Sequence, residues 1–293
     1  MTAVKELAYT KINLFLDACE KRSDGFHELR TVMHSLSLAD EVTLILNNTS
    51  RRSIRLVVED NRFLPTDSKN LAYLAAESFL NKSGIDADIT LKLKKRIPVG
   101  GGLGGGSSDA AAVLRGLNRL FKRPFTDKML LETSKSLGSD VPFCLIGGTA
   151  LCLGRGEKIH RINAPIRLHT VIVNSGEHIS TPWAFRELDR AYNDFDGSVV
   201  SPGQEIFSRI IPTLEQGRVS ADIAFNIFEE PILNICPKAK ALKDRLMLEG
   251  ASFAMMSGSG SSVFGVFENE QIAKSVEYNL RSEGVNAHYA HSV

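Results

Sequence analysis

The chain has 293 residues, 43% of them apolar and 24% charged, with a formal net charge of +1. That length allows two domains, and the balance fits an ordinary soluble globular enzyme rather than a disordered chain or a general nucleic-acid binder. The four cysteines (Cys19, Cys144, Cys152 and Cys236) form no Cys-x-x-Cys pair and do not cluster with histidines. This argues against zinc and a disulfide framework and for a reduced cytoplasm. The first residues run straight into a strand without a signal or transit segment, and no apolar run is long enough to span a membrane.

Leu7 to Leu16 reads as a strand, with Ala8, Thr10, Ile12, Leu14 and Leu16 on one face. Lys11 shares the other face with Asn13 between apolar neighbours, so it either snorkels to water or meets an anion. Asp24-Gly25 is a turn signal before Phe26-His27. His27 is either a polar strand start or a ring nitrogen that recognises a ligand. Leu29–Leu38, Glu41–Leu46 and Ile54–Val58 are expected strands. Lys69-Asn70-Leu71 opens a helix with Leu71, Leu74, Ala75 and Phe79 on its core face.

An alternating strand with Ile89, Leu91 and Leu93 on one face then runs through Lys94 and Lys95 into Pro98-Val99-Gly100-Gly101-Gly102-Leu103-Gly104-Gly105-Gly106-Ser107-Ser108, in which six of eleven residues are glycine. A helical pattern follows: Ala110, Val113, Leu114, Leu117 and Leu120. Strand, glycine loop and helix N-terminus make an anion site, because bare amides converge at the positive end of the helix and no Cβ blocks the approach. Ser107 and Ser108 are expected at the N-cap or on a phosphate or Mg²⁺. The motif is not a P-loop, since Gly106 is followed by serine rather than lysine. Nor is it a dinucleotide fold, because no second strand with an acidic residue follows. Protein-kinase signatures are missing too.

Asp127 to Leu137 is an expected helix that stops at Gly138. In Ser139-Asp140-Val141-Pro142-Phe143, Pro142 biases Val141 to an extended form and holds Asp140 on a bend, as a capping or a functional carboxylate. Thr149–Leu153 and Arg167–Asn174 are expected strands, with a domain boundary near 155–165. Ser180-Thr181-Pro182 starts a helix that carries Trp183 and Phe185. Asn193–Ser201 reads as a polar loop, and 203–216, 219–228 and 237–249 read as helices. Phe253 to Phe264 contains a second glycine/serine turn between strands. Helix 269–282 and a strand near 285–290 complete a β/α alternation.

The Pro-x3-Gly-Leu-Gly-x-Gly-Ser-Ser loop resembles that of the galactokinase, homoserine kinase, mevalonate kinase and phosphomevalonate kinase superfamily. With Ser-Ser-Asp-Ala-Ala after it, it looks most like the branch that acts on a cytidine-diphosphate sugar alcohol in non-mevalonate isoprenoid precursor synthesis. Thr10–Leu16, Asp24–His27, Gly138–Phe143 and Phe253–Phe264 resemble further motifs of that branch or of the superfamily. The resemblance implies an α+β, two-domain kinase fold. Residues 1–160 would form an N-terminal mixed sheet with helices and phosphate loop, and 161–293 a C-terminal ferredoxin-like α+β domain that closes the cleft.

It further implies ATP and Mg²⁺, with Lys11 and Asp140 catalytic and Pro98 to Ser108 (Pro98, Val99, Gly100, Gly101, Gly102, Leu103, Gly104, Gly105, Gly106, Ser107, Ser108) on the phosphates. Lys69, Asn70, Leu71 and Lys95 would border the adenine. Asn13 and His27 would read the cytosine edge, Phe26 and Phe185 would sandwich its ring, and Thr181 would lie near the sugar alcohol. Mg²⁺ would be bridged by phosphates, with Ser107 or Ser108 as candidate ligands. Asp109 should point away from phosphate or act through the metal. The partners implied are small molecules, with neither nucleic acid nor membrane, for a cytoplasmic monomer or homodimer. A mevalonate- or homoserine-type kinase and a non-catalytic nucleotide sensor on the same fold are the alternatives.

Overall fold

The computed structural model describes residues 2–48, 51–59, 63–192 and 201–293. It divides into two compact units. The first comprises Met1–Thr10, Ala39–Val99 and Gly104–Gly147; the second comprises Lys11–Leu38, Gly100–Leu103 and Gly148–Val293. Two long strands, β1 (Thr2–Lys21) and β2 (His27–Leu46), contribute residues to both.

In the first unit β2 pairs antiparallel with β4 (Asp88–Lys94), Glu41 opposite Lys94 and Leu46 opposite Ile89. β4 pairs parallel with β3 (Ser53–Glu59). Ile89, Leu91 and Leu93 are buried, as their alternation requires. Four helices accompany these strands: α1 (Leu71–Ser83), α2 (Gly105–Leu120), α3 (Asp127–Lys135) and α4 (Val141–Ile146). Asn70 caps α1 by accepting the Ala72 amide at 3.0 Å, and left-handed Gly84 ends it. Its Ala75, Ala76 and Phe79 are buried, and Phe79 meets Phe125 at 4.5 Å between ring centroids. α2 is the central helix of this unit and is buried along most of its length, Ala110 through Leu114 and Leu117 being inaccessible. It packs directly on β2, for a Cβ on Gly116 would stand 2.3 Å from Leu44 Cδ1.

In the second unit β2 pairs antiparallel with β5 (Thr149–Gly154), which pairs with β6 (Lys158–Arg161). Phe15 and Leu16 of β1 pair parallel with the two-residue β8 (Phe225–Asn226). A separate four-stranded antiparallel sheet contains β7 (His169–Asn174), β9 (Phe253–Met256), β10 (Val263–Phe267) and β11 (Asn286–His291). Its order is β11-β7-β10-β9. With α8 (Pro237–Leu248) leading into β9 and α9 (Glu270–Ser282) joining β10 to β11, this is the ferredoxin-like arrangement. Val171, Val173, Leu246, Val276 and Leu280 lie in its core. α5 (Thr181–Ala191), α6 (Gln204–Glu215) and α7 (Glu229–Leu233) complete the unit. Among the described residues no helix is long and apolar enough to cross a membrane.

Three local expectations are corrected. The two strands expected at Leu29–Leu38 and Glu41–Leu46 are one, β2, which runs straight through Ala39-Asp40. Val141 is helical rather than extended: Pro142 falls in the first turn of α4, where no amide is needed, and burial of Val141, Pro142 and Phe143 outweighs the bias against helix before proline. Residues 219–228 form turns and β8 instead of a helix. There the Asn226 side chain takes the Phe228 amide at 3.0 Å, a local bond that competes with helix. Most of the loop expected at Asn193–Ser201 lies outside the described residues.

Candidate active site

The glycine loop enters α2 through Gly104, left-handed at φ 69°, so the helix begins at Gly105. Ser107 and Ser108 are therefore inside its first turn rather than at the cap. Gly104 has no side chain to offer, and the Gly105, Gly106 and Ser107 amides precede the first intrahelical bond, Ser108 N to Gly104 O at 2.8 Å. Those amides and the helix dipole favour an anion. The Ser108 hydroxyl donates to the Tyr9 carbonyl. On the same unit, Leu71 Cδ1 would lie 3.8 Å from a Cβ on Gly106, and Lys95 Nζ 3.4 Å from one on Gly105. The adenine-side candidates Leu71 and Lys95 thus reach the first turn of α2. Asn70 caps α1, and the Lys69 amide donates to Asp67 at 3.0 Å. Asp140 is the N-cap residue of α4, and its carbonyl accepts from the Cys144 amide at 3.0 Å.

In the second unit Gly100 to Leu103 lies against the glycine/serine turn after β9. The Ser262 amide donates to Gly101 O at 3.2 Å, and the Ser257 hydroxyl to Gly102 O at 3.1 Å. A Cβ on Gly102 would stand 2.0 Å from the Ser257 carbonyl oxygen, and one on Gly101 2.1 Å from Ser262 Oγ. These two glycines are therefore demanded by the second turn.

Lys11 does not snorkel. It is 4% exposed, its ammonium donates to Asn13 Oδ1 at 2.8 Å, and its amide donates to Leu103 O at 3.1 Å. Asn13 donates onward to Thr31 Oγ1 at 2.8 Å, so the amide orientation is fixed by both neighbours.

His27 is buried. Its Nε2 lies 2.6 Å from Asp189 Oδ1, and its ring stacks on Phe185 at 4.9 Å. Phe185 thus packs on His27, the neighbour of Phe26. Phe26 itself is 52% exposed, with the Arg155 guanidinium 4.8 Å from its ring centroid. The Asp24 carboxylate accepts the Phe26 amide at 3.1 Å, which sets the turn that presents the ring. Thr181 Oγ1 lies 3.2 Å from Ser259 Oγ of the glycine/serine turn.

Some contributors carry no motif. Asp189 meets His27 from α5, four residues beyond Phe185, and that helical spacing was the available signal. Asn226, 4% exposed, donates to the carbonyls of Met256 at 2.9 Å and Gly258 at 2.8 Å and so holds the start of the glycine/serine turn. Asn226→Ala strands two buried acceptors and is expected to cost about 1–3 kcal/mol. Hydrogen exchange should show faster loss of protection at the Ser257 and Ser262 amides than elsewhere in the sheet.

Among the described residues no group of three or more His, Cys, Asp or Glu side chains could hold a metal ion. A divalent cation here would depend on oxygens brought by an anionic ligand.

This combination of helix-mouth anion cradle, glycine/serine turn and ferredoxin-like layer defines a GHMP-type kinase. The sequence matches the GHMP kinases N terminal domain over residues 70–148 and the GHMP kinases C terminal domain over residues 213–286. It is 36% identical over 280 residues to a 4-diphosphocytidyl-2-C-methyl-D-erythritol kinase of Caldicellulosiruptor bescii, covering 95% of this chain and 94% of that one. It is 38% identical over 278 residues to the protein of the same name from Bacillus pumilus, covering 95% and 93%. A solved 4-(cytidine 5'-diphospho)-2C-methyl-D-erythritol kinase superposes with a TM-score of 0.79 at 30% identity and 98% coverage of each chain. A homoserine kinase from Cytophaga hutchinsonii, 20% identical with a TM-score of 0.74, shares the fold. The chain belongs to the 4-diphosphocytidyl-2-C-methyl-D-erythritol kinase family, and it is an ATP-dependent phosphotransferase.

Proposed function

We propose that the chain transfers the γ-phosphoryl group of ATP to the 2-hydroxyl of 4-diphosphocytidyl-2-C-methyl-D-erythritol, in non-mevalonate isoprenoid precursor synthesis. The observation that carries the ATP half is the glycine-capped start of α2, whose first amides precede any helical acceptor. The acceptor half rests on the family and on an exposed aromatic, Phe26, next in the chain to the His27 that stacks on Phe185.

In this reading residues 1–160 carry the nucleotide and 161–293 close on the acceptor. Pro98 to Ser108 wraps the phosphates, and Lys69, Asn70 and Leu71 border the adenine. Asp140 takes the proton of the acceptor hydroxyl, and Lys11 keeps Asp140 ionised and offsets charge on the transferring group. Phosphoryl transfer needs little covalent help, so position and charge are what these residues supply. Mg²⁺, brought with the nucleotide and held by its phosphates, would neutralise part of their charge. Ser107 is better placed than Ser108 to touch it, since the Ser108 hydroxyl donates to Tyr9 O. Cytosine lies between Phe26 and Phe185. Asn13 and His27 meet its polar edge, and Asp189 orients the imidazole. Thr181 sits toward the sugar alcohol. We place the protein in the cytoplasm, with small molecules as its partners.

An ADP-release assay with three acceptors tests the assignment. The cytidyl methylerythritol acceptor should be turned over, and mevalonate and homoserine should not. Turnover of either of those instead, or no ATP consumption with any, would overturn it.

Phe26→Ala should raise KM for the acceptor about tenfold, because stacking on a base contributes about 1–3 kcal/mol. KM for ATP and kcat should hold. Half-exposed Phe26 makes this the cleaner probe; Phe185→Ala would also unpack Phe228, whose ring it meets edge-on at 4.9 Å.

A further inference from the structure

One ionic cluster ties the strand entering the glycine loop to the helix leaving it. The Lys95 side chain is 9% exposed, and its ammonium donates to Asp109 Oδ2 at 2.7 Å and to Asp40 Oδ2. Asp40 is fully buried, and its Oδ1 accepts the amides of Arg96 and of Ile97, the latter at 2.8 Å. Asp109, just beyond the first turn of α2, has a 3% exposed side chain. Its second oxygen, Oδ1, is buried with no hydrogen-bond partner among the described residues.

The electrostatics of this cluster are unusual for a nucleotide site. A carboxylate near a helix N-terminus competes with phosphate for the same dipole and amides. An ammonium beneath that terminus is opposed by the dipole, and only adjacent carboxylates make its place favourable. Burial works against charge on Lys95, but Asp109 and Asp40 outweigh it and hold the ammonium above its usual range. Burial, helped by Asp40 and resisted by Lys95, pushes the Asp109 carboxyl well up. Lys95 is therefore the group that opposes this effect of burial and lets Asp109 and Asp40 share the site.

We propose that Lys95 is a positioning residue for ATP: it draws the Asp109 carboxylate away from the phosphate cradle and, through Asp40 and the Arg96 and Ile97 amides, fixes the chain that enters the loop. This role rests on the kinase reading above. It replaces the adenine contact expected of Lys95 from sequence, since its ammonium is committed to two carboxylates.

The test measures ATP affinity by titration calorimetry, with kinetics for both substrates, in the wild type, Lys95→Met, Asp109→Asn and the double variant. Lys95→Met should weaken ATP binding at least about tenfold, because removing one partner of a buried ion pair leaves the other uncompensated. KM for the cytidyl acceptor should stay within about twofold. Adding Asp109→Asn should bring ATP affinity back to within about threefold of Asp109→Asn alone, since the carboxyl beside the cradle is then uncharged and Asp40 keeps the Arg96 and Ile97 amides. If Lys95→Met does not fold, the comparison of the double variant with Asp109→Asn decides by itself. ATP affinity about tenfold weaker in the double variant would place Lys95 on the nucleotide and overturn the proposal. Unchanged ATP affinity in Lys95→Met, or equal losses for both substrates, would overturn it as well. A wild-type protein that binds no ATP would overturn the kinase reading and this one with it.

Discussion

Asp140→Asn is expected to lower kcat by roughly 10²–10⁴-fold while ATP binding and melting temperature stay near those of the wild type. Asparagine keeps the size of the side chain and its place at the head of α4, but cannot accept the hydroxyl proton. The surrounding fold does not depend on that proton: Val141, Pro142 and Phe143 are buried, and the Asp140 carbonyl closes the first turn of α4. Lys11→Met should lower kcat by about 10²–10³-fold, the usual effect of losing one charge-stabilising donor. It will cost some stability too, since Asn13 Oδ1 loses the ammonium it accepts from. If the two side chains serve the one step proposed for them, the double variant should be little worse than the poorer single one. The measurement is steady-state turnover alongside ATP titration. Near-normal kcat in either single variant removes the pair from the mechanism.

The second large effect is structural. Gly102→Ala should destabilise the fold by roughly 2–5 kcal/mol and abolish measurable ATP binding. Gly102 has φ 73°, and its new Cβ would meet the Ser257 carbonyl oxygen at 2.0 Å, a backbone atom with little room to move. The glycine/serine turn must then separate from the loop, breaking the Ser257 Oγ to Gly102 O and Ser262 N to Gly101 O bonds. Gly250→Ala is the control. Its φ of 90° is equally unsuited to a side chain, but a Cβ there meets nothing within 4 Å. It should lose only about 1–2 kcal/mol. Thermal melts of the two variants, with ATP titration, separate steric closure of the site from ordinary backbone strain. Equal losses in both would mean that the approach of the turn does not matter.

The glycine loop and its flanking elements were legible because every local signal agreed: alternating Ile89, Leu91 and Leu93 before it, the Ala110–Leu117 periodicity after it. The C-terminal sheet was legible for the same reason, helix and strand periods alternating cleanly from Phe253 onward. Elsewhere the signals conflicted. Asp40 looked like a break between two strands because a carboxylate inside a buried strand is costly. The cost is offset by Lys95 and two amides that are more than 50 residues away in sequence. Spacing left Lys11 either to snorkel or to meet an anion, because the Asn13–Thr31 pair that receives its ammonium spans two strands. In 219–228 the spacing of Ile223, Ile227 and Phe228 suits a helix, yet the Asn226 side chain takes over the local amide. Family likeness reached Phe26, His27 and Phe185 through their motifs. It did not reach Asp189 or Asn226, which belong to stretches where only the folded partner gives the residue its meaning.

The second unit joins the middle of β2 to the stretch that follows β11. Leu36 bridges Ser292, the Val293 amide donates to Ser35 O at 3.3 Å, and buried His34 bonds Thr149 and Ser292 through its two ring nitrogens. On a ribosome adding roughly 5–20 residues each second, β2 therefore waits on the order of ten seconds or more for the last partners it will meet. During that interval β2 already has β4 and β5 as partners, and only the stretch His34–Leu36 still lacks its contacts with Ser292 and Val293.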